Sequence, residues 1–422
     1  MVDNTCLDDW LRWQESLNPR HMDLGLDRCE GVAAAMDLAG LPMPVVTVAG
    51  TNGKGSCVAY LTAMLEGAGY AVAAYTSPYL DRYNESLRIN RREVRDDELV
   101  AAFENVERCR GDVPLTFFEF RTLAALDIIS RTGADVAVLE VGLGGRLDAV
   151  NIVDADVAVV TSIDLDHMDW LGADRESIGR EKAGIFRRSR PAVCGDGSPP
   201  GSLVAHAADL GSALRLIGED YSWRREDDGW SWRGAGIAYT DLPAPCMGGG
   251  FQYDNAATAI MAARMLAPGI DIDAAAVRDG VAGARLPGRQ QIIPGPVERL
   301  VDVAHNVQAA DALAATLAAR PSTGQTHVVV AMLADKDVSA VAGALAGQVD
   351  TWHTATLPGP RGGSGEDVGR TLDRHFPAHP VTVHADVATA WRAALSGAAD
   401  GDRVVAFGSF LTAREVLRIE LG

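Results

Sequence analysis

Val45-Val-Thr-Val-Ala-Gly-Thr-Asn-Gly-Lys-Gly-Ser56 is the most informative run of the chain. It begins as the short β-branched run of a buried strand and breaks into glycines, and a helical pattern follows from Ser56 to about Ala68. Strand, glycine loop, lysine, hydroxyl and helix in this order form a phosphate cradle. Gly50, Gly53 and Gly55 let backbone N–H groups approach phosphate oxygens, the helix start adds partial positive charge, and Lys54 adds a full one. Ser56 is placed to cap the helix and can reach Mg2+. The spacing is that of a P-loop variant, since the common form would carry its first glycine where Val48 stands and a hydroxyl residue directly after Lys54. A tight strand-to-helix turn with an incidental lysine is the alternative.

On either side of this run, β-branched segments alternate with helical ones, the pattern of a parallel sheet with crossover helices. Strands are predicted over Val45 to Val48, Ala71 to Tyr75, Val136 to Val141 and Val157 to Thr161, which make one doubly wound α/β unit. Between Tyr221 and Tyr239, aromatic residues alternate on both sides of Asp227-Asp-Gly229, predicting a small antiparallel hairpin appended to the first domain. Helical patterning returns from Asn255 to Gly280. The turn clusters Leu286-Pro-Gly-Arg289 and Pro294-Gly-Pro296 then mark a boundary that divides the chain into 1–288 and 289–422. Strands predicted at Arg299 to Val303, His327 to Met332, Thr351 to Ala355, Val381 to Val383 and Arg403 to Phe407 make the second part a smaller, Rossmann-like α/β domain.

The chemistry-bearing residues fall at strand ends, where a doubly wound sheet binds its ligands. Glu140 is followed by Gly142-Leu-Gly-Gly-Arg-Leu-Asp148, which is no dinucleotide fingerprint because Leu147 stands where the last glycine of G-x-G-x-x-G would fall. Asp164-Leu-Asp-His-Met-Asp169 follows the next strand at the same edge, so Glu140 and His167 can both ligate a cation beside the phosphates. Taken singly, Glu140 also reads as surface decoration and His167 as a structural histidine. Lys182, in the helical run Arg175 to Phe186, reads alone as a solvated charge. In the second domain Asp302 precedes His305-Asn306, and Asp335-Lys-Asp337 occupies a similar turn. Asp302 can accept from a ribose or bind a cation, His305 can contact phosphate, and Asn306 can cap the helix that follows. Arg289, at the hinge, can reach a phosphate.

Composition narrows the partners. A length of 422 residues suits two or three domains, and 38 basic against 57 acidic residues give a net charge of −19. That balance argues against a general nucleic-acid or anionic-membrane binder. Apolar residues make up 47% and charged ones 23%, with no 18-residue apolar run to span a bilayer. The segment Met1 to Trp13 lacks the pattern of a signal peptide, so a cytoplasmic location is expected. Cys6, Cys29, Cys57, Cys109, Cys194 and Cys246 form no C-x-x-C pair and read as reduced and structural.

Nine ordered segments carry a resemblance from Asp23 to Phe410: Asp23-Leu-Gly-Leu-Asp-Arg28, Ala49-Gly-Thr-Asn-Gly-Lys-Gly-Ser56, Thr76-Ser-Pro78, Leu139-Glu-Val-Gly-Leu-Gly-Gly-Arg-Leu-Asp148, Asp164-Leu-Asp-His167, Gly179-Arg-Glu-Lys-Ala-Gly-Ile-Phe186, Leu286-Pro-Gly-Arg289, Asp302-Val-Ala-His-Asn306 and Gly408-Ser-Phe410. In these the chain resembles the folylpolyglutamate synthase and dihydrofolate synthase family of the Mur ligase superfamily. The bacterial bifunctional branch looks closest, especially across Asn151 to Ile163.

The resemblance implies a Mur-type ATP-binding domain, a C-terminal Mur-type domain and a ligase of folate biosynthesis and one-carbon metabolism. Such an enzyme activates a pterin-linked carboxylate as an acyl phosphate that the amino group of L-glutamate attacks. Its substrates would be dihydropteroate and tetrahydrofolate, with ATP and one or two Mg2+ ions; separately, the two-domain organisation favours a monomer. By the same resemblance Gly53, Lys54, Gly55 and Ser56 hold ATP, joined by Asn255, Arg289, Asp302 and His305. Ser77, Glu140 and His167 ligate Mg2+, and Lys182 is carbamylated. Met22, Asp23 and Leu24, with Phe117, Phe118, Glu119, Phe120 and Asp148, frame the pterin substrate. The family commonly has His where this chain has Tyr79, and Pro where it has Val307.

Other classes lack their signatures. A P-loop switch would need Asn-Lys-x-Asp, and a nicotinamide oxidoreductase would need G-x-G-x-x-G. A nucleotide-binding module without catalysis remains an alternative, as do a monofunctional folylpolyglutamate synthase and another Mur-type amino-acid ligase. For a cell-wall ligase, too little chain precedes Gly50 to hold a UDP-binding domain.

Overall fold

The computed structural model describes residues 6–18, 23–38, 40–266 and 268–422. The chain forms two compact units: Met1–Cys246 with Tyr253–Ala284, and Met247–Gln252 with Arg285–Gly422.

The first unit is built on an eight-stranded sheet of β1 (Val45–Ala49), β2 (Val72–Tyr75), β3 (Leu87–Ile89), β4 (Arg92–Glu93), β5 (Val136–Glu140), β6 (Val157–Val160), β7 (Pro191–Cys194) and β8 (Ala213–Leu216). Its order is β4-β3-β2-β5-β1-β6-β7-β8, parallel from β2 to β8, with β3 and β4 antiparallel at one edge. Every residue of β1 and β5 is buried, as expected of parallel strands covered by helices on both faces. From β1 the chain moves to β2 on one side and later to β6, β7 and β8 on the other. A crevice therefore opens at the carboxyl ends of β5, β1 and β6. All four strands predicted for this sheet are present; β3, β4, β7 and β8 are additional.

The predicted hairpin is a three-stranded antiparallel sheet of β9 (Tyr221–Glu226), β10 (Gly229–Gly234) and β11 (Ile237–Leu242). Ala235 and Gly236 turn the chain through two left-handed residues (φ 50° and 75°) and return it as β11, which the aromatic alternation did not mark. This sheet is pinned to the helix Gln252–Met265 by side-chain hydrogen bonds. Trp232 Nε1 donates to Ala257 O at 3.1 Å, Trp223 Nε1 donates to Asp254 Oδ1 at 2.7 Å, and the Tyr221 and Thr258 hydroxyls lie 3.0 Å apart.

The second unit carries β12 (Gln291–Ile293), β13 (Glu298–Val301), β14 (Thr326–Val330), β15 (Thr351–Ala355), β16 (Val381–His384) and β17 (Arg403–Phe407) in the order β12-β13-β17-β14-β15-β16. All pairs are parallel except β12 with β13. Its five longer strands are those the sequence predicts. No helix among the described residues is long and apolar enough to cross a membrane.

Candidate active site

The helix after β1 begins at Lys54, with Gly53 at its N-cap in a left-handed conformation (φ 88°). It starts earlier than the sequence suggested, so Ser56 lies buried in the first turn rather than at the cap. Gly53, having no side chain, offers no capping oxygen of its own at this helix start, whose N–H groups are of the kind that bind phosphate. Lys54 Nζ donates back to Gly50 O at 3.0 Å and Thr51 O at 3.2 Å. Residues after β6 hold the loop's shape: Thr51 N–H donates to Ser162 O at 2.7 Å, and Thr161 Oγ1 donates to Asn52 O at 2.7 Å. A β-carbon at Gly50 would collide with Thr161 Oγ1, and one at Gly53 with Asn255 Oδ1. Asn255, far along the chain, thus stands directly against the phosphate loop.

At the end of β5, Glu140 is 4% exposed, and its Oε2 accepts from the Ser77 N–H at 3.2 Å. Ser77 Oγ is buried and has no hydrogen-bond partner among the described residues. A buried hydroxyl without a partner is costly unless something outside the chain satisfies it. A carboxylate with such a hydroxyl is a hard oxygen donor set and fits Mg2+. His167 starts the short helix Met168–Leu171 at φ 51°, and its Nε2 lies 3.9 Å from Asp166 Oδ1. No group of three His, Cys, Asp or Glu among the described residues could by itself hold a metal.

Lys182 does not behave as a solvated charge, because it is 3% exposed at the end of the helix Arg175–Ala183. Burial, with repulsion from Lys54, lowers its amine to about 7 against the pull of Asp166 and Asp148. The glycine loop after β5 brings it here: a β-carbon at Gly145 would lie 2.8 Å from Glu181 O and 2.9 Å from Lys182 O. Asp148 is buried beside them, and burial raises its carboxyl to about 6. It accepts from Leu143 N–H at 2.8 Å and Val150 N–H at 3.0 Å, so it shapes the loop as well as charging it.

Of the residues expected at the pterin, Met22 lies outside the described residues. Asp23 and Glu119 are brought together by Arg28, which sequence reasoning had not assigned a role. Its Nη1 is 3.1 Å from Asp23 Oδ2 and its Nη2 2.9 Å from Glu119 Oε1. Leu24, between Asp23 and this junction, is partly exposed. Glu119 also accepts from the Thr116 N–H at 2.7 Å in a capping box that starts the helix Phe117–Ser130. Phe117 and Phe118 are partly exposed, and the Phe118 ring covers Gly142. Phe120 differs from expectation: it is completely buried against Trp10, Trp13 and Phe103, because its helical spacing turns it into the core.

In the second unit Asp302 is buried at the end of β13 and accepts from Gln290 N–H at 2.8 Å and Ala304 N–H at 2.6 Å. Burial raises its carboxyl to about 6, opposed by Arg289 and His305. The Arg289 guanidinium lies 5.1 Å over the Phe410 ring, and the His305 ring 6.1 Å from it. Arg289, Asp302, His305 and Phe410 thus form one cluster. Asn306 Oδ1 caps the helix Val307–Ala319 by accepting from Ala309 N–H at 3.0 Å.

Two families match the chain in order: the Mur ligase middle domain over residues 48–195, and the Mur ligase, glutamate ligase domain over residues 288–410. They make the protein a ligase of the Mur type. The dihydrofolate synthase/folylpolyglutamate synthase of Escherichia coli (strain K12) is 43% identical over 420 residues, 98% of this chain and 95% of the relative. The chain belongs to the dihydrofolate synthase/folylpolyglutamate synthase family. Escherichia coli FolC in complex with DHPP and ADP superposes with a TM-score of 0.94 at 42% identity, covering 99% of this chain and 98% of that one. The bifunctional folylpolyglutamate synthase/dihydrofolate synthase of Yersinia pestis, complexed with AMPPNP and Mn ion, gives 0.92 at 42% identity, covering 99% of each chain.

Proposed function

We propose that this protein joins L-glutamate to dihydropteroate, giving dihydrofolate, and to the γ-carboxylate of tetrahydrofolate, giving folylpolyglutamate, with cleavage of ATP to ADP and phosphate. The observation that carries the reading is the buried Ser77–Glu140 pair, with its unsatisfied hydroxyl, at the sheet edge that also bears the Lys54 loop. The activities for which its relatives are named and their nucleotide complexes support the same reaction.

In the first step a carboxylate oxygen of the folate substrate attacks the γ-phosphorus, the bond to the β-phosphate oxygen breaks, and ADP leaves. In the second the glutamate amine attacks the acyl carbon, loses a proton, and expels phosphate to leave an amide. Gly53, Lys54, Gly55 and Ser56 are assigned to the phosphates, and Asn255 to the nucleotide side of the loop. Ser77, Glu140 and His167 are assigned to Mg2+, which neutralises phosphate oxygens when bound. From the second unit Arg289, Asp302 and His305 are assigned to ATP. Asp23, Leu24, Phe117, Phe118 and Asp148 are assigned to the pterin substrate. Charge neutralisation and positioning suffice for such chemistry.

Lys182 is assigned as a carbamate. Its amine nitrogen attacks the carbon of CO2, an N–C bond forms and a proton goes to water, replacing a buried cation with an anion suited to a second hard cation. Its burial, and an amine lowered to about 7, favour the neutral nucleophile this needs. We assign the chain as a monomer and as cytoplasmic, its cysteines forming no disulfide among the described residues. The acyl phosphate is tested by labelling the dihydropteroate carboxylate with oxygen-18. Transfer of one labelled oxygen into phosphate supports it, and unlabelled phosphate rejects it.

A further inference from the structure

Arg121 is 4% exposed, on the helix Phe117–Ser130, and among the described residues no carboxylate pairs with it. Its guanidinium sits among four aromatic rings, with centroids at 5.2 Å (Tyr83), 5.6 Å (Tyr75), 5.8 Å (Tyr79) and 5.8 Å (Phe118). Nη2 donates to Ser86 Oγ at 2.7 Å and to Thr76 O at 3.4 Å, while Nε is buried without a partner. Cation–π attraction offsets part of the desolvation. Even so, a buried charge without a counter-charge is a poor way to gain stability, and an apolar side chain of similar size is commonly as good or better. The charge therefore calls for an explanation other than packing.

Its hydrogen bond supplies one. Thr76 O and Ser77 N–H belong to the same planar peptide unit. The C=O end of that plane accepts from Arg121 at 3.4 Å, and the N–H end donates to Glu140 Oε2 at 3.2 Å. The Thr76 N–H donates to Ser86 O at 2.8 Å, and Ser86 Oγ is itself held by Arg121. Turning the peptide would break both ends at once and shift the Ser77 backbone, and the hydroxyl it carries, relative to Glu140. The aromatic box leaves the guanidinium little room to follow.

We propose that Arg121 is a positioning residue for the cation site, fixing the Thr76–Ser77 peptide so that Ser77 Oγ and Glu140 face one ion. This rests on the reading of Ser77 and Glu140 as cation ligands.

The test is Mn2+ affinity of the full chain with AMPPNP, read by electron paramagnetic resonance, in the parent, Arg121→Met, Arg121→Lys, Ser77→Ala and the Arg121→Met/Ser77→Ala double variant, with melting temperatures alongside. Arg121→Met should weaken Mn2+ binding about tenfold without lowering the melting temperature. Arg121→Lys, which keeps the charge and loses the planar fork, should weaken it too. The double variant should be no weaker than the weaker single one. If Ser77→Ala weakens binding while both Arg121 variants bind like the parent, the proposal falls and the ligand reading stands. If the two effects add, Arg121 does not act through Ser77 and the proposal also falls. If Ser77→Ala binds Mn2+ like the parent, the ligand reading fails, and the proposal with it.

Discussion

Asn255 Oδ1 occupies the space that a β-carbon on Gly53 would need. The contact ties the phosphate loop to the helix Gln252–Met265, which Trp223, Trp232 and Tyr221 of the small antiparallel sheet hold in place. The appended sheet thus fixes one wall of the Gly50–Lys54 loop.

Gly53→Ala therefore meets two obstacles, a left-handed backbone at φ 88° and the Asn255 side chain. The backbone alone costs about 1–2 kcal/mol, and displacing the loop by about 1 Å is expected to cost on the order of 100-fold in kcat/KM. Steady-state ADP release and a urea melt of the variant check both. A folded Gly53→Ala protein at the parent's rate would contradict the close approach.

Lys182 offers a direct chemical test. Incubation with carbon-13 bicarbonate should give a carbamate carbon signal that is absent in Lys182→Ala. Its occupancy at fixed CO2 should fall as pH drops through about 7, where the buried amine takes up a proton. Lys182→Ala should lose activity that formate or acetate partly restores. Full activity of that variant rejects the carbamate.

Asp302 predicts a pH trend in stability. Its folded carboxyl sits at about 6, above the ordinary carboxylate value of about 3.9. The folded chain thus keeps a proton that the unfolded chain has released. The stability this contributes is fully present below about 3.9 and lost as pH rises through about 6. Asp302→Asn lacks that dependence, so its melting temperature minus the parent's should rise between these pH values. A flat or falling difference would contradict the burial.

The sequence made the central parallel strands legible because their runs are fully buried, as in β1 and β5, but not the parallel strands β7 and β8, which are less completely buried. It missed β12, whose three residues lie between turn clusters, and β11, whose pattern is weak beside the tryptophans. The glycine loop, Ser77 and Glu140 are marked as candidates by residue type and family resemblance. Arg28 and Arg121 are not, because their contacts are with side chains met across the fold, although a lone arginine in the apolar run Phe117 to Ile129 is a visible signal. Phe120 was misassigned because an aromatic run does not say which ring faces the core.

Glutamate ligation to two folate acceptors is open to one direct test. The decisive measurement is ADP release with dihydropteroate and, separately, with tetrahydrofolate, each with and without L-glutamate, with products read by mass. Both acceptors should give glutamate-dependent ADP and a product heavier by one glutamyl residue. ADP from neither would contradict it, and ADP from tetrahydrofolate alone would leave a monofunctional folylpolyglutamate synthase.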